Sequence, residues 1–357
     1  MADFARILHD WYQVHKRVLP WRETKDPYRI WVSEIILQQT RVDQGLDYYL
    51  RFIARFPDVW TLAETDESEV LKYWEGLGYY SRARNLLQAA RQVCALGKFP
   101  DSYSEIRKLR GVGDYTAAAI ASFAFGLPYA AVDGNVYRVL SRYYGVELPI
   151  DTGAGKKYFA ALATETLDRK HPANYNQAIM DFGALQCVPK NPDCSACPFC
   201  ASCVAFRDGL VAQLPIKIGK QTLRSRFFTF IYIEYSDLVA LWRRGTGDIW
   251  EGLYQPLQFE WEEALPDEIQ LYKRLSDLFV GQGNITFLPL KICERQRLSH
   301  QLLHVSFYRL SLSFPPDESA LPQGIIWVEK NKLAQYAFPK MLAEMTERLQ
   351  ERIETVG

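Results

Sequence analysis

The sequence predicts an all-α domain followed by an α/β domain, on three observations. Apolar residues recur at helical spacing, without any strand pattern, from the N-terminus to residue 214. Cys187, Cys194, Cys197, Cys200 and Cys203 cluster near the end of that stretch, a density that suggests a cofactor. After Leu214-Pro215 the texture changes to aromatic and β-branched runs such as Phe227 to Ile233, typical of a buried strand. A chain of 357 residues is long for one core, so the expected division is 1–214, a basic linker over 215–226, and 227–357.

In the first domain Phe4, Ile7, Leu8, Trp11, Tyr12 and Val18 share a helix face, and the helix stops before Leu19-Pro20-Trp21-Arg22. Helices are expected over Trp31–Thr40, Val42–Phe56, Glu67–Trp74 and Arg82–Leu96, punctuated by Pro57, Gly76, Gly78 and Gly97. A helix ending at Arg110, the turn Gly111-Val112-Gly113 and a helix over Tyr115–Phe125 form a helix-hairpin-helix. Its glycines let a phosphate come close to the backbone, and the amides opening the second helix point toward that anion. Helices over Val136–Tyr144, Lys156–Leu167 and Asn174–Leu185 complete the domain. In the second domain, strands are expected over Phe227–Ile233, Leu238–Trp242, Ile285–Leu290, Leu302–Phe314 and Ile325–Val328, with helices over Asp267–Phe279 and Asn331–Arg352.

Composition fits a folded enzyme, with 48% hydrophobic and 24% charged residues, and no apolar run approaches the ~18 residues of a membrane span. The opening residues lack a basic start and an apolar signal core, so a cytoplasmic protein is expected. Lys and Arg number 25 against 24 acids over 1–214, 4 against none over 215–226, and 13 against 18 beyond. With no global basic field, DNA contact has to come from local arrays of amides, arginines and aromatics. Lys217, Lys220, Arg224 and Arg226 are the linker cations expected near the DNA backbone.

The spacing Cys187-x6-Cys194-x2-Cys197-x5-Cys203 can hold one [4Fe–4S] cluster, which needs four soft ligands from a compact loop. A structural zinc is the alternative, although zinc sites usually pair two short Cys hooks across a longer gap. Cys200 lies midway between Cys197 and Cys203, so spacing alone leaves the spare thiol open.

Together the hairpin and the cysteine loop resemble the helix-hairpin-helix DNA glycosylases with a C-terminal iron–sulfur loop. The resemblance implies Cys203 as fourth ligand, with Cys200 spare. Bifunctional members carry a Schiff-base lysine two residues after the hairpin's last glycine. Here that position is Tyr115, which implies base removal without strand cleavage. Leu19-Pro20-Trp21-Arg22, Val32 to Thr40, Glu75 to Arg82 and Val132 to Val136 are similar to the adenine-removing MutY branch.

Glu34 lies among Trp31, Val32, Ile35 and Ile36, where burial would raise its pKa above that of an ordinary solvated helix glutamate. A protonated carboxyl suits the family's acid, which protonates adenine N7. Asp133 reads as an N-cap, a position expected to keep it ionised and able to stabilise the cation growing on the deoxyribose. By resemblance Tyr115 and Asn135 orient these acids, Arg22 and Gln177 line the adenine pocket, and Gln39 and Tyr79 insert beside the opposite base. The second domain resembles the Nudix-like domain that recognises 8-oxoguanine, with Ser299 and His300 in a loop where Leu298 replaces the family's Phe. Gly245-x5-Glu251 opens a Nudix metal box that no Arg-Glu-x2-Glu-Glu run completes, so diphosphate hydrolysis is not expected.

The resulting expectation is a monomeric, monofunctional glycosylase that removes adenine opposite 8-oxoguanine or guanine in double-stranded DNA. Its rivals are an endonuclease III-like pyrimidine glycosylase, opposed by Tyr115, and an inactive iron–sulfur DNA sensor, opposed by the pair Glu34 and Asp133.

Overall fold

The computed structural model describes residues 2–219, 223–278, 287–313 and 323–354. Lys220, Phe279, Ile285 and Phe314, which the sequence reading used, lie outside them. Two compact units emerge, one from Met1–Thr65 and Asn85–Gly219, the other from Asp66–Arg84 and Lys220–Gly357. Among the described residues no helix is long and apolar enough to cross a membrane.

The first unit is helical: α1 (Ala2–His15), α2 (Pro27–Leu37), α3 (Val42–Arg55), α4 (Val59–Glu64), α6 (Ser81–Leu96, beginning in the other unit), α7 (Tyr103–Ile106), α8 (Asp114–Phe125), α9 (Gly134–Tyr144), α10 (Gly153–Thr166), α11 (Pro172–Leu185) and α12 (Val204–Arg207). Expected and observed helix ends differ by a few residues, except before the hairpin, where α7 is a single turn and residues 107–110 are turns. The four-residue helices α7 and α12 carry too little periodicity to be read from sequence.

Helix α2 has few solvated positions, because Tyr28, Ile30, Trp31, Val32, Ser33, Glu34, Ile35 and Ile36 are all buried. Pro27 presets its first turn, and the Asp26 side chain caps it by accepting from the Tyr28 amide. The alanine-rich α8 lets α2 pack against it, and α11 packs against α1, α8 and α9. Phe4, Leu8 and Trp11 of α1, Val139 and Leu140 of α9, Phe159 of α10, and Ile179 and Phe182 of α11 form one core with Phe199. Each large apolar side chain buried there contributes about 1.5–3 kcal/mol.

The second unit is built on a mixed sheet of β1 (Arg224–Tyr235), β2 (Leu238–Arg243), β3 (Tyr254–Gln255), β4 (Leu257–Trp261), β5 (Phe287–Arg297), β6 (Gln301–Leu312) and β7 (Ile325–Glu329). The order is β3-β2-β1-β6-β5, with β4 also pairing β1 and β7 pairing β2. β1 and β6 run parallel, Arg224 opposite Gln301 through Tyr235 opposite Leu312, and the other pairs are antiparallel. A central parallel pair needs cover on both faces, which is why β1 reads as a continuous apolar run. Phe228, Phe230 and Tyr232 face Met341, Leu342 and Met345 of α14 (Lys340–Glu354). Ile231 and Ile233 face Leu271 and Leu275 of α13 (Glu268–Leu278). The short β3 and β4 were not expected, and the single helix expected over Asn331–Arg352 is a 3-10 turn, Lys330–Gln335, followed after Pro339 by α14.

Residues 66–84, read from sequence as part of the helical half, group with the sheet. They comprise α5 (Glu67–Tyr73), the following turn and the first turn of α6. Lys72 Nζ donates to Tyr336 O at 3.1 Å, the Phe338 amide to Glu75 Oε1 at 2.8 Å, and Tyr80 Oη to Phe338 O at 3.3 Å.

Of the expected linker cations, Lys217 and Arg224 are exposed and Arg226 is not free. Arg226 lies within β1 and is 9% exposed, its guanidinium bound to Asp248 at 2.6 and 2.8 Å and to Glu260 at 2.7 Å. A cation committed to two carboxylates has no charge to spare for phosphate. Arg226→Ala is therefore expected to cost about 2 kcal/mol in a denaturant melt while the salt dependence of DNA binding stays unchanged. A shallower salt slope would return Arg226 to the DNA.

Candidate active site

A groove of about 1530 Å³ opens in the helical unit, and Arg22, Glu34, Gln39, Gly111, Gly113, Tyr115, Asp133, Asn135 and Gln177 all line it. At its centre Tyr115 Oη, from the start of α8, donates to Glu34 Oε2 on α2 at 2.7 Å. Glu34 is 8% exposed. Burial raises its carboxyl to about 7, with Asp133 adding to the rise and Tyr115 and Arg22 opposing it. The acid is thus poised between its two states at neutral pH. Tyr115 is itself pushed well above the usual phenol range by burial and by the nearby Glu34 and Asp133, so it remains a donor.

Asp133 caps α9, accepting from the amides of Asn135 at 2.9 Å and Val136 at 2.8 Å and from Asn135 Nδ2 at 2.7 Å. An N-cap alone would depress its pKa. The net shift is upward, because burial outweighs those hydrogen bonds and the charge of Arg138, which between them limit the rise. Asn135 is held in turn by Arg138 Nη2, which donates to its Oδ1 at 2.8 Å. Gly183 on α11 is obligatory here, since a Cβ would come within 2.6 Å of Asn135 Cβ.

Sequence reasoning missed the partner of Arg22. Asp181, fully buried on α11, accepts from Arg22 Nη1 and Nη2 at 2.7 and 2.8 Å and from Arg17 Nε at 2.9 Å. Burial acts against its charge, but Arg22 and Arg17 more than reverse this and hold its carboxyl below the usual range. The only sequence hint was an aspartate in an otherwise apolar stretch of helix. Gln177 Oε1 accepts from Tyr12 Oη at 2.9 Å.

At the hairpin Gly111 has φ +75°, and a Cβ there would lie 2.7 Å from Asn85 Cβ, so glycine is required twice over. Gly113 has an ordinary φ of −89° and open space where a Cβ would be. What glycine supplies there is open space, not backbone freedom. Val112 buries its side chain, and its amide closes the turn on Leu109 O.

Tyr79, Ser299 and His300 belong to the second unit. Tyr79 Oη and Ser299 Oγ share a hydrogen bond of 2.5 Å, while His300 is exposed. Gln39 and Tyr79, the two expected inserting residues, both have positive φ, +58° and +48°. Such backbone is strained for a side-chain-bearing residue and concentrates where function requires it.

Cys187, Cys194, Cys197, Cys200 and Cys203 line a separate cavity of the helical unit with Arg142, Phe182 and Phe199. Arg142 is 3% exposed and donates to Cys187 Sγ at 3.4 Å and to the carbonyls of Val188, Pro189 and Leu214. A buried cation facing carbonyls and a thiol suits an anionic thiolate-ligated group. Among the described residues no group of three His, Cys, Asp or Glu is arranged to hold a single metal ion.

The HhH-GPD superfamily base excision DNA repair protein family matches residues 32–156. The chain is 37% identical over 315 residues to an adenine DNA glycosylase of Buchnera aphidicola subsp. Baizongia pistaciae, covering 86% of this chain and 84% of the relative. It is 31% identical to one from Buchnera aphidicola subsp. Schizaphis graminum, covering 96% and 98%. A solved thermostable thymine-DNA glycosylase is similar at a TM-score of 0.53 and 30% identity, over 58% of this chain and 96% of that one.

Proposed function

The chain belongs to the MutY-type adenine DNA glycosylases, base-excision repair enzymes that hydrolyse N-glycosyl bonds, and from that premise we propose that it removes adenine mispaired with 8-oxoguanine or guanine, without cutting the strand. The observation that carries the proposal is the hydrogen bond from Tyr115 to Glu34. Where a bifunctional enzyme needs an amine nucleophile, this chain has a phenol that holds an acid.

Glu34 in its protonated state gives its proton to adenine N7 as the C1′–N9 bond breaks, and the bonding electrons leave with the base. Asp133, when ionised, stabilises the positive charge left on the sugar, and water then adds at C1′, giving up a proton to the Glu34 carboxylate and so restoring the acid. Asn135 and Tyr115 orient the two acids, and Arg22, held by Asp181, borders the base pocket with Gln177. The hairpin Gly111-Val112-Gly113 binds a DNA phosphate, while Gln39 and Tyr79 fill the space the extruded base leaves. Residues 1–214 supply this chemistry, and 227–357 form a Nudix-like domain in which Ser299 and His300 read the opposite 8-oxoguanine.

Cys187, Cys194, Cys197 and Cys203 would hold a [4Fe–4S] cluster, which when bound would supply a rigid anchor for its loop. Arg142 provides counter-charge. Cys203→Ser is expected to lower iron and sulfide content and the visible absorbance, whereas Cys200→Ser keeps about four irons per chain. The reverse result would exchange their roles.

The test is single-turnover cleavage of duplexes holding A opposite 8-oxoguanine, A opposite T, and T opposite G, with and without hot alkali. Adenine release from the first alone, with breaks only after alkali, is expected of a monomer acting on duplex DNA. Thymine release would favour the activity named for the similar solved structure, and breaks without alkali would remove the monofunctional reading.

A further inference from the structure

We infer that Arg82 is a positioning residue that holds the turn over residues 76–79 and the Tyr79 ring, and through them sets discrimination between bases opposite the target. This rests on the proposed role of Tyr79 beside the opposite base. Gly76, Gly78 and Tyr79 have φ of +91°, +72° and +48°, three left-handed residues within four positions. Glycine adopts this conformation freely and tyrosine does not, so the surroundings have to impose it.

Arg82 is the residue placed to do so. Its Cζ lies 5.4 Å from the centroid of the Tyr79 ring and 5.4 Å from that of Trp74. Its Nη2 donates to Gly78 O at 3.2 Å and makes a longer contact to Leu77 O at 3.5 Å. Trp74 Nε1 donates to the same Gly78 carbonyl at 3.2 Å. One guanidinium therefore touches the two carbonyls that precede Tyr79 as well as the ring itself. Desolvation pushes Arg82 down to about 10, so it keeps its charge at neutral pH.

The Tyr79 ring stays 45% exposed despite these contacts, and its hydroxyl bonds to Ser299. The clamp thus presents a ring without burying it, in contact with a residue assigned to the opposite base on separate grounds. Lysine cannot substitute, because a point charge on a flexible stem lacks the planar face that lies on rings and the fork that spans carbonyls.

Arg82→Lys, Tyr79→Leu and the double variant are to be compared by single-turnover adenine release from A opposite 8-oxoguanine and A opposite G. Arg82→Lys is expected to reduce the ratio of the two rates about tenfold, Tyr79→Leu to do likewise, and the double variant to add nothing, as for residues acting as one unit. The salt slope of DNA binding stays unchanged. Additive losses, or an equal loss on both duplexes with a salt slope shallower by about one, would make Arg82 a phosphate contact and overturn the inference. Hydrogen exchange at amides 76–80 distinguishes the clamp from the role of Tyr79. Faster exchange in Arg82→Lys with unchanged ratios in both single variants removes the Tyr79 reading but leaves the clamp, whereas unaltered exchange removes the clamp.

Discussion

Glu34→Gln is expected to slow single-turnover adenine release by about 10²- to 10⁴-fold, the usual worth of a positioned general acid, while duplex affinity changes only a few-fold. Glutamine keeps the shape and can still accept from Tyr115, but its amide has no acidic proton to give. The wild-type rate should fall as pH rises through about 7, where Glu34 loses its proton, and this alkaline limb should be missing from the variant. Stability provides a second readout with a definite sign. The folded pKa of Glu34 is raised, so its contribution is fully present below the unfolded value of about 4.3 and is lost as pH rises through about 7. Glu34→Gln should then gain stability over wild type in urea melts above neutrality, and not near pH 4. A variant within tenfold of wild type, or an unchanged alkaline limb, would remove Glu34 as the acid.

Asp181→Asn is expected to be the most destabilising change at the site, at about 3–5 kcal/mol, the cost of removing one partner from a buried ion network. Two guanidinium groups would then face a neutral amide at a position where the Asp181 side chain itself has no contact with water. The sign with pH is opposite to that of Glu34. The Asp181 carboxyl is held low, so its contribution is present above the unfolded value of about 3.9 and fades as pH falls through the lower folded value. Wild type and variant should converge in strong acid and separate above about pH 4. A thermal midpoint within two or so degrees of wild type at pH 7 would mean that Arg22 and Arg17 find other partners.

Helices longer than two turns were legible because their apolar spacing is dictated by the cores they bury, as with Leu8 and Trp11 of α1 or Ile179 and Phe182 of α11. The positions lining the groove were legible for another reason: short ungapped motifs carry Glu34, Tyr115 and Asp133 together with their neighbours. Pairings across long sequence distances were not. Asp181 lies 159 residues from Arg22, and nothing local marks either as the other's counter-ion. Arg226 was misread because a charge beside other cations looks solvated until the strand turns it toward Asp248 and Glu260. The left-handed backbones of Gln39 and Tyr79 were likewise invisible, since both residue types ordinarily avoid that region.

The grouping of residues 66–84 with the sheet has a consequence for synthesis. Lys72 and its acceptor Tyr336 are separated by 264 residues, so the early segment leaves the ribosome long before its partners exist. At ordinary elongation rates the wait is on the order of ten seconds to a minute. During that interval Tyr80 and Glu75 lack the backbone at Phe338 to which they bond in the finished chain. The nascent protein cannot mature strictly from front to back, and a message cut after the helical half would yield a chain with one of its early segments permanently unmatched.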